Sequence, residues 1–173
     1  MMSRPTVTAD AYSRLIALLD GAAARYRLIA HAPEGRTELA SRLRGHRLEQ
    51  AAKCLVIRVG LGKKHRRYVL AVVPGDRRAD LDRVRRLYDG TDAAFAARAV
   101  AERLADGVSG SIMPFTFDPG LDLLVDPDLL GHEEIFFNAA RLDRSVALHT
   151  DDYVKLAAPR IEPVADAPMS TVA

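Results

Sequence analysis

Two apolar runs, Lys53–Val59 and Tyr68–Val73, are joined by the eight residues Gly60 to Arg67, which hold two glycines and a basic cluster. Strand-like runs with a glycine-bearing connection predict a β-hairpin, here with a charged tip of Lys63, Lys64, His65, Arg66 and Arg67. Pro74-Gly75-Asp76 ends the second strand. The hairpin brings antiparallel pairing into whatever sheet the chain builds, and the other segments must pack around it.

Helical and strand patterns alternate on either side. Residues 8–20 place Tyr12, Leu15, Ile16 and Leu19 at helical spacing, with Gly21 near the stop. Residues 25–30 alternate as a strand, and Pro33-Glu34-Gly35 turns the chain. Thr37 is expected to cap a short helix that runs to Arg44 and ends at Gly45. Helical patterns over 80–88 and 97–105 flank a short strand at 93–95. Three more strands are expected at 121–125, 134–137 and 145–149, then a short capped helix from Thr150 to Leu156. The pattern predicts a mixed α/β fold, a largely antiparallel sheet with flanking helices. A chain of 173 residues is most simply one domain, 1–162, with a flexible tail over 163–173.

Hydrophobic content of 49% with 28% charged residues is that of a soluble globular domain. With no Trp and 6% aromatics, its core must come from Leu, Val, Ile and Ala. The lone Cys54 excludes an intramolecular disulfide and a multi-cysteine metal site. The first residues lack the apolar stretch of a secretory signal, and no run approaches the roughly 18 apolar residues of a membrane span. A cytoplasmic protein with no membrane partner is therefore expected. The net charge of +2 hides a polarity: residues 36–86 carry fifteen Lys/Arg against five Asp/Glu, and residues 87–173 carry six against fifteen. The basic segment either forms a face for a polyanion or pairs with the acidic half inside the fold.

Two places could carry chemistry. Lys53 heads an otherwise apolar strand, so its ammonium either snorkels to water or meets an anion. The loop Asp106-Gly107-Val108-Ser109-Gly110-Ser111-Ile112-Met113-Pro114 lets a ligand approach backbone N–H groups where Gly110 lacks a Cβ. Other motifs fail. The five histidines are scattered and Gly131-His132-Glu133-Glu134 lacks a second histidine, so no metal is expected. Gly107-Val-Ser-Gly-Ser111 does not match a nucleophile elbow, and Gly60-Leu-Gly-Lys-Lys is not a phosphate-binding loop, since a strand follows it. Cys54, on the opposite strand face from Lys53, reads as a core thiol.

Several segments occur in a telling order: His31 and Thr37; Ala52-Lys53-Cys54-Leu55-Val56; Tyr68 through Asp76; Gly107 through Phe115; Leu124-Val125-Asp126; and Phe137-Asn138 followed by Arg141. Together they resemble the YbaK and ProX family, aminoacyl-tRNA deacylases related to the editing domain of bacterial prolyl-tRNA synthetase. The resemblance spans roughly residues 25–158 and departs in two places, Ala140 for a common glycine and Asp106 for a common threonine. It implies a single-domain YbaK/ProX-like fold. The implied activity is hydrolysis, in trans, of the ester of a tRNA mischarged with a small amino acid, tRNA of proline being a candidate. The implied catalytic groups are Lys53 with the backbone of Gly110 and Ser111. His31, Thr37, Ile112, Pro114, Asp126 and Asn138 would contact substrate, and Lys63, Lys64, Arg66, Arg67, Arg77 and Arg78 would carry the tRNA backbone. No cofactor is implied; a monomer is the simpler expectation, and an aminoacyl-tRNA synthetase is a candidate partner. The alternative is a non-catalytic module of the same fold that holds an RNA 3′ end or a nucleotide.

Overall fold

The computed structural model describes residues 10–168, and within them two sheets share the work of enclosing the core. Strand β1 (Tyr26–Ala30), β6 (Glu134–Asn138) and β7 (Arg144–His149) form a three-stranded antiparallel sheet in the order β1-β7-β6. The larger sheet runs β4-β2-β3-β5-β8, built on β2 (Ala52–Gly60), β3 (Arg66–Pro74), β4 (Asp92–Phe95), β5 (Leu121–Val125) and β8 (Arg160–Ile161). The predicted hairpin is its centre: β2 and β3 pair antiparallel from Lys53 opposite Val73 to Gly60 opposite Arg66. β3–β5 and β5–β8 pair in parallel, so the mixed, largely antiparallel α/β fold expected from the pattern is the fold observed.

Both hairpin strands read as continuous apolar runs because both faces are covered. Val56, Leu70 and Val72 point to one core, where they meet Phe137, Val146 and Leu148 of the smaller sheet. Ile57, Val59, Val69, Ala71 and Val73 point to a second core with Leu124, Val84 and Val164. Helix α1 (Ala11–Gly21) lays Leu15 and Leu19 on the first core, and α3 (Leu81–Leu87) lays Val84 on the second. Helices α2 (Thr37–Arg44), α4 (Arg98–Ala105) and α5 (Thr150–Ala157) complete the set. A parallel bridge between Ala51 and Phe136 joins the two sheets at the entrance to β2, and the cavity described below opens at that seam.

Three expectations are corrected. Thr37 and Thr150 are not caps; each is the first residue of its helix, after Arg36 and His149, and neither helix start has a side-chain cap. The Thr150 hydroxyl instead donates to the His132 carbonyl. The first helix is capped by Asp10, whose carboxylate accepts from Ser13 N–H at 2.7 Å; the part of the expected helix before Asp10 lies outside the described residues. The tail does not begin at residue 163. Val164 and Ala165 are buried, and both donate their N–H groups to one carboxylate oxygen of Asp126, at 2.9 and 2.7 Å. Asp166 N–H then donates to the Arg78 carbonyl and Asp80 N–H to the Val164 carbonyl, which straps this segment to the end of β3. Residues 169–173 lie outside the described residues.

Asp126 is thus a structural anchor, not a substrate contact. Its other oxygen accepts from Asp128 N–H at 2.9 Å, so three backbone donors share one carboxylate. Removing it leaves buried N–H groups without acceptors, each a penalty of about 1–3 kcal/mol. Asp126→Ala should lower the unfolding free energy by about 2–4 kcal/mol in urea denaturation and make the segment 163–168 the first site of proteolysis.

Candidate active site

A cavity of about 210 Å³ lies at the seam between the sheets. Its walls come from the turn before α2 (Gly35), one face of α2 (Thr37, Ala40, Arg44), the entrance to β2 (Ala51 to Leu55), the glycine loop (Gly110, Ile112) and the end of β6 (Phe137, Asn138). Thr37, Ala40 and Arg44 stand at i, i+3 and i+7, the inward stripe of a short helix.

The loops are brought together by Asn138. Its Nδ2 donates to the carbonyls of Glu34 and Gly110, both at 2.8 Å, and its Oδ1 accepts from the Ser145 hydroxyl at 2.9 Å. His31 joins the same centre: its Nε2 lies 2.6 Å from Ser145 Oγ and its Nδ1 2.8 Å from the Ala32 carbonyl. His31 and Asn138 therefore act on loop position. Gly110 has a φ of +90°, and a Cβ there would stand 2.7 Å from Gly35 Cα. The missing side chain admits the Gly35 backbone and not only a ligand.

Lys53 lies on the cavity wall with its Nζ donating to the Arg77 carbonyl at 2.9 Å. One of three ammonium hydrogens is thereby fixed, and two remain. Burial, then the neighbouring Arg78, hold the ammonium below the usual lysine value. Cys54 is half-buried and its thiol is pushed up by burial, so it is no nucleophile.

Other expected site residues fall elsewhere. Ser111 is buried, and both its N–H (3.0 Å) and its hydroxyl (2.9 Å) donate to the Val108 carbonyl, which spends the donor expected to face an oxyanion. Pro114 is buried and offers its carbonyl to Tyr153 OH at 2.7 Å. Arg77 is only 10% exposed and pairs with Asp128, while Arg67 pairs with Asp122, so neither is a free phosphate contact. Lys63, Lys64, Arg66 and Arg78 are exposed, and among the described residues their side chains have no hydrogen-bond or ion-pair partner. The lopsided charge is thus resolved both ways, by cross-pairing and by a residual basic surface.

The two departures from the family pattern do not touch the cavity. Asp106, the left-handed cap of α4, pairs with Arg14. Ala140 has a φ of 58°, in the left-handed region that glycine adopts most readily. Among the described residues no three His, Cys, Asp or Glu side chains stand together as metal ligands.

Residues 31–156 match the aminoacyl-tRNA editing domain. The chain belongs to that family. A multifunctional Ser/Thr-tRNA deacylase, ProXp-y of Escherichia coli K12, is 40% identical over 161 residues, 92% of this chain and 94% of the relative. Among solved structures, hypothetical protein APE2540 superposes with a TM-score of 0.78 at 18% identity over 88% of this chain and 99% of its own. A protein provisionally described as a trans-editing enzyme for prolyl tRNA synthetase gives 0.75 at 20% over 92% and 99%. The chain is accordingly an editing hydrolase acting on the ester of mischarged aminoacyl-tRNA, with the YbaK/ProX-like fold anticipated from its motifs.

Arg44, Gly35 and Ser145 are the site residues that the motifs did not supply. Burial pulls the Arg44 guanidinium down to about 10, and its Nε is buried with no hydrogen-bond partner among the described residues. Gly110→Ala would force a left-handed alanine against the Gly35 backbone. It should cost about 1–3 kcal/mol of stability and at least about tenfold in deacylation rate, read by thermal melting and single-turnover kinetics.

Proposed function

We propose that this editing domain deacylates seryl- and threonyl-tRNA, releasing the free amino acid and tRNA. The observation that carries the reading is the small cavity with Lys53 and Gly110 on its walls, a cation and a glycine backbone facing a space of about 210 Å³. The substrate pair is the one in the name of the 40% identical relative.

In this reading the aminoacyl group enters the seam and its ester carbonyl lies near Lys53 and the Gly110 N–H, which has no other partner among the described residues. Water adds to the carbonyl carbon and negative charge gathers on the carbonyl oxygen, where preorganised donors stabilise it most. The C–O bond to the ribose then breaks, the oxygen leaves with the tRNA, and the proton lost by water ends on that oxygen by way of the neighbouring ribose hydroxyl. An aminoacyl ester is reactive enough that positioning and charge stabilisation suffice, without a protein nucleophile.

The tRNA backbone would lie over Arg78 beside the cavity and reach Lys63, Lys64 and Arg66 at the hairpin tip. Seven steps along the strand lead from Lys53 to Gly60, about 23 Å at roughly 3.3 Å each, a span suited to a helical stem and not to one nucleotide. The reading includes a cytoplasmic monomer that meets its tRNA free or beside the synthetase that mischarged it. Among the described residues no helix is long and apolar enough to cross a membrane.

Lys53→Ala should reduce hydrolysis of seryl-tRNA by about ten- to a thousandfold with an unchanged melting profile. Full activity in the folded variant would remove the lysine from the mechanism. Replacing Lys63, Lys64 and Arg66 together by alanine should weaken tRNA binding and flatten its dependence on salt by about two to three phosphate contacts. An unchanged salt slope would move the tRNA off the hairpin tip.

A further inference from the structure

Arg44 lies on the cavity wall and has no part in the reaction sketched above. It ends α2 on the inward stripe shared with Thr37 and Ala40, and the walls near it are small or apolar: Ala40, Ala51, Ala52, Phe137. No carboxylate pairs with it among the described residues. Among the described residues its side chain has one hydrogen-bond partner, His46, whose Nε2 lies 3.2 Å from Nη1.

That contact is itself well defined. His46 Nδ1 lies 2.8 Å from the Arg47 carbonyl and must donate to it, which leaves Nε2 as the acceptor for Arg44. The imidazole stacks on Phe136, ring centroids 3.8 Å apart and planes 15° from parallel. Burial first, then the Arg44 charge, lower its pKa to about 4, so it stays neutral and keeps its lone pair for the guanidinium. A stacked, neutral histidine thus holds one edge of Arg44. Nε is buried with no partner, and Nη2 has no protein acceptor among the described residues.

A cation withdrawn from water without a counter-charge costs stability, and cavity walls of alanine and phenylalanine offer it nothing in return. Such a group persists where a ligand supplies the acceptor. An aminoacyl-tRNA offers several acceptors there: a phosphate, the oxygens and ring nitrogens of the terminal adenosine, the ester carbonyl, and an oxygen on the amino-acid side chain. The phosphates have exposed cations at the rim, Arg78 among them, and a phosphodiester carries a nucleotide on each side. The chamber of about 210 Å³ fits a short side chain bearing one oxygen.

We propose that Arg44, held by His46, is the specificity-determining donor that reads the side-chain hydroxyl of the aminoacyl group, favouring seryl and threonyl esters over alanyl and valyl ones. The inference rests on the deacylase reading above and adds the cause of its substrate preference. A site built to hydrogen-bond a hydroxyl rejects the isostere that lacks it, because its own buried donors are then left unpaired. A charge-assisted hydrogen bond corresponds to about ten- to a hundredfold in affinity.

The test uses amide-linked, non-hydrolysable 3′-seryl and 3′-alanyl derivatives of 3′-amino-3′-deoxyadenosine, titrated into the whole protein and its Arg44→Met variant, beside hydrolysis of seryl- and alanyl-tRNA. The wild type should bind the seryl compound about ten- to a hundredfold more tightly. Arg44→Met should bring the ratio near one, retain affinity for the alanyl compound, and melt at the same temperature or higher. A merely structural arginine would lower the melting point and leave the ratio alone. In the wild type the Arg44 side-chain N–H resonances should shift with the seryl compound and stay in place with the alanyl one, a readout that needs no variant to fold. A ratio unchanged in Arg44→Met, equal weakening of both compounds, or resonances that ignore the hydroxyl would overturn the proposal while seryl-tRNA hydrolysis stands. Discrimination without hydrolysis would support Arg44 and count against turnover; binding of neither compound would overturn both.

Discussion

One primary amide, that of Asn138, ties two loops that have no regular structure of their own to strand β7. Its nitrogen donates to the Glu34 and Gly110 carbonyls and its oxygen accepts from the Ser145 hydroxyl, beside which His31 Nε2 lies at 2.6 Å. The pairing of Asn138 with Ser145 is set by the β6–β7 register, so a regular ladder fixes where two irregular loops must meet. Loss of such a centre would leave two carbonyls and a hydroxyl without their shared partner and release the two loops from β7. The cavity is therefore defined less by its walls than by the group that pulls them together.

Around that centre the charges are sorted. Lys53 and Arg44 sit on the cavity with little or no carboxylate company, whereas Asp106, Asp122, Asp126 and Asp128 are turned to arginines or backbone donors elsewhere. Both cations are held below their ordinary values by burial. A fold optimised for stability alone would pair or expose them. Keeping them desolvated near one small space is the usual mark of a site that gives up stability for function.

Much of this was legible in the residues, for identifiable reasons. The strands were readable because β2 and β3 are covered on both faces and so are apolar throughout, and the turns because glycine and proline bracket them. Lys53 stood out because a charge at the head of such a run must either snorkel to water or meet an anion. The C-terminal strap was not, because the burial of Val164 and Ala165 depends on a carboxylate 38 and 39 positions away, and nothing in Pro163-Val164-Ala165 announces it. Ser111 misled because a loop rich in small polar residues looks like free backbone donors until the turn it closes is seen. Arg44 escaped because a cation at a helix C-terminus is favourable in its own right; its i, i+3, i+7 relation to Thr37 and Ala40 was the available clue.

The strap also reaches the lysine. Lys53 rests on the Arg77 carbonyl, and the stretch holding that carbonyl is pinned by Asp128 and Asp166 on the Arg77 and Arg78 side. A chain made from its N-terminus exposes Lys53 and the glycine loop long before Asp166 appears. The strap that steadies the seat of the ammonium is thus the last part of this arrangement to be synthesised.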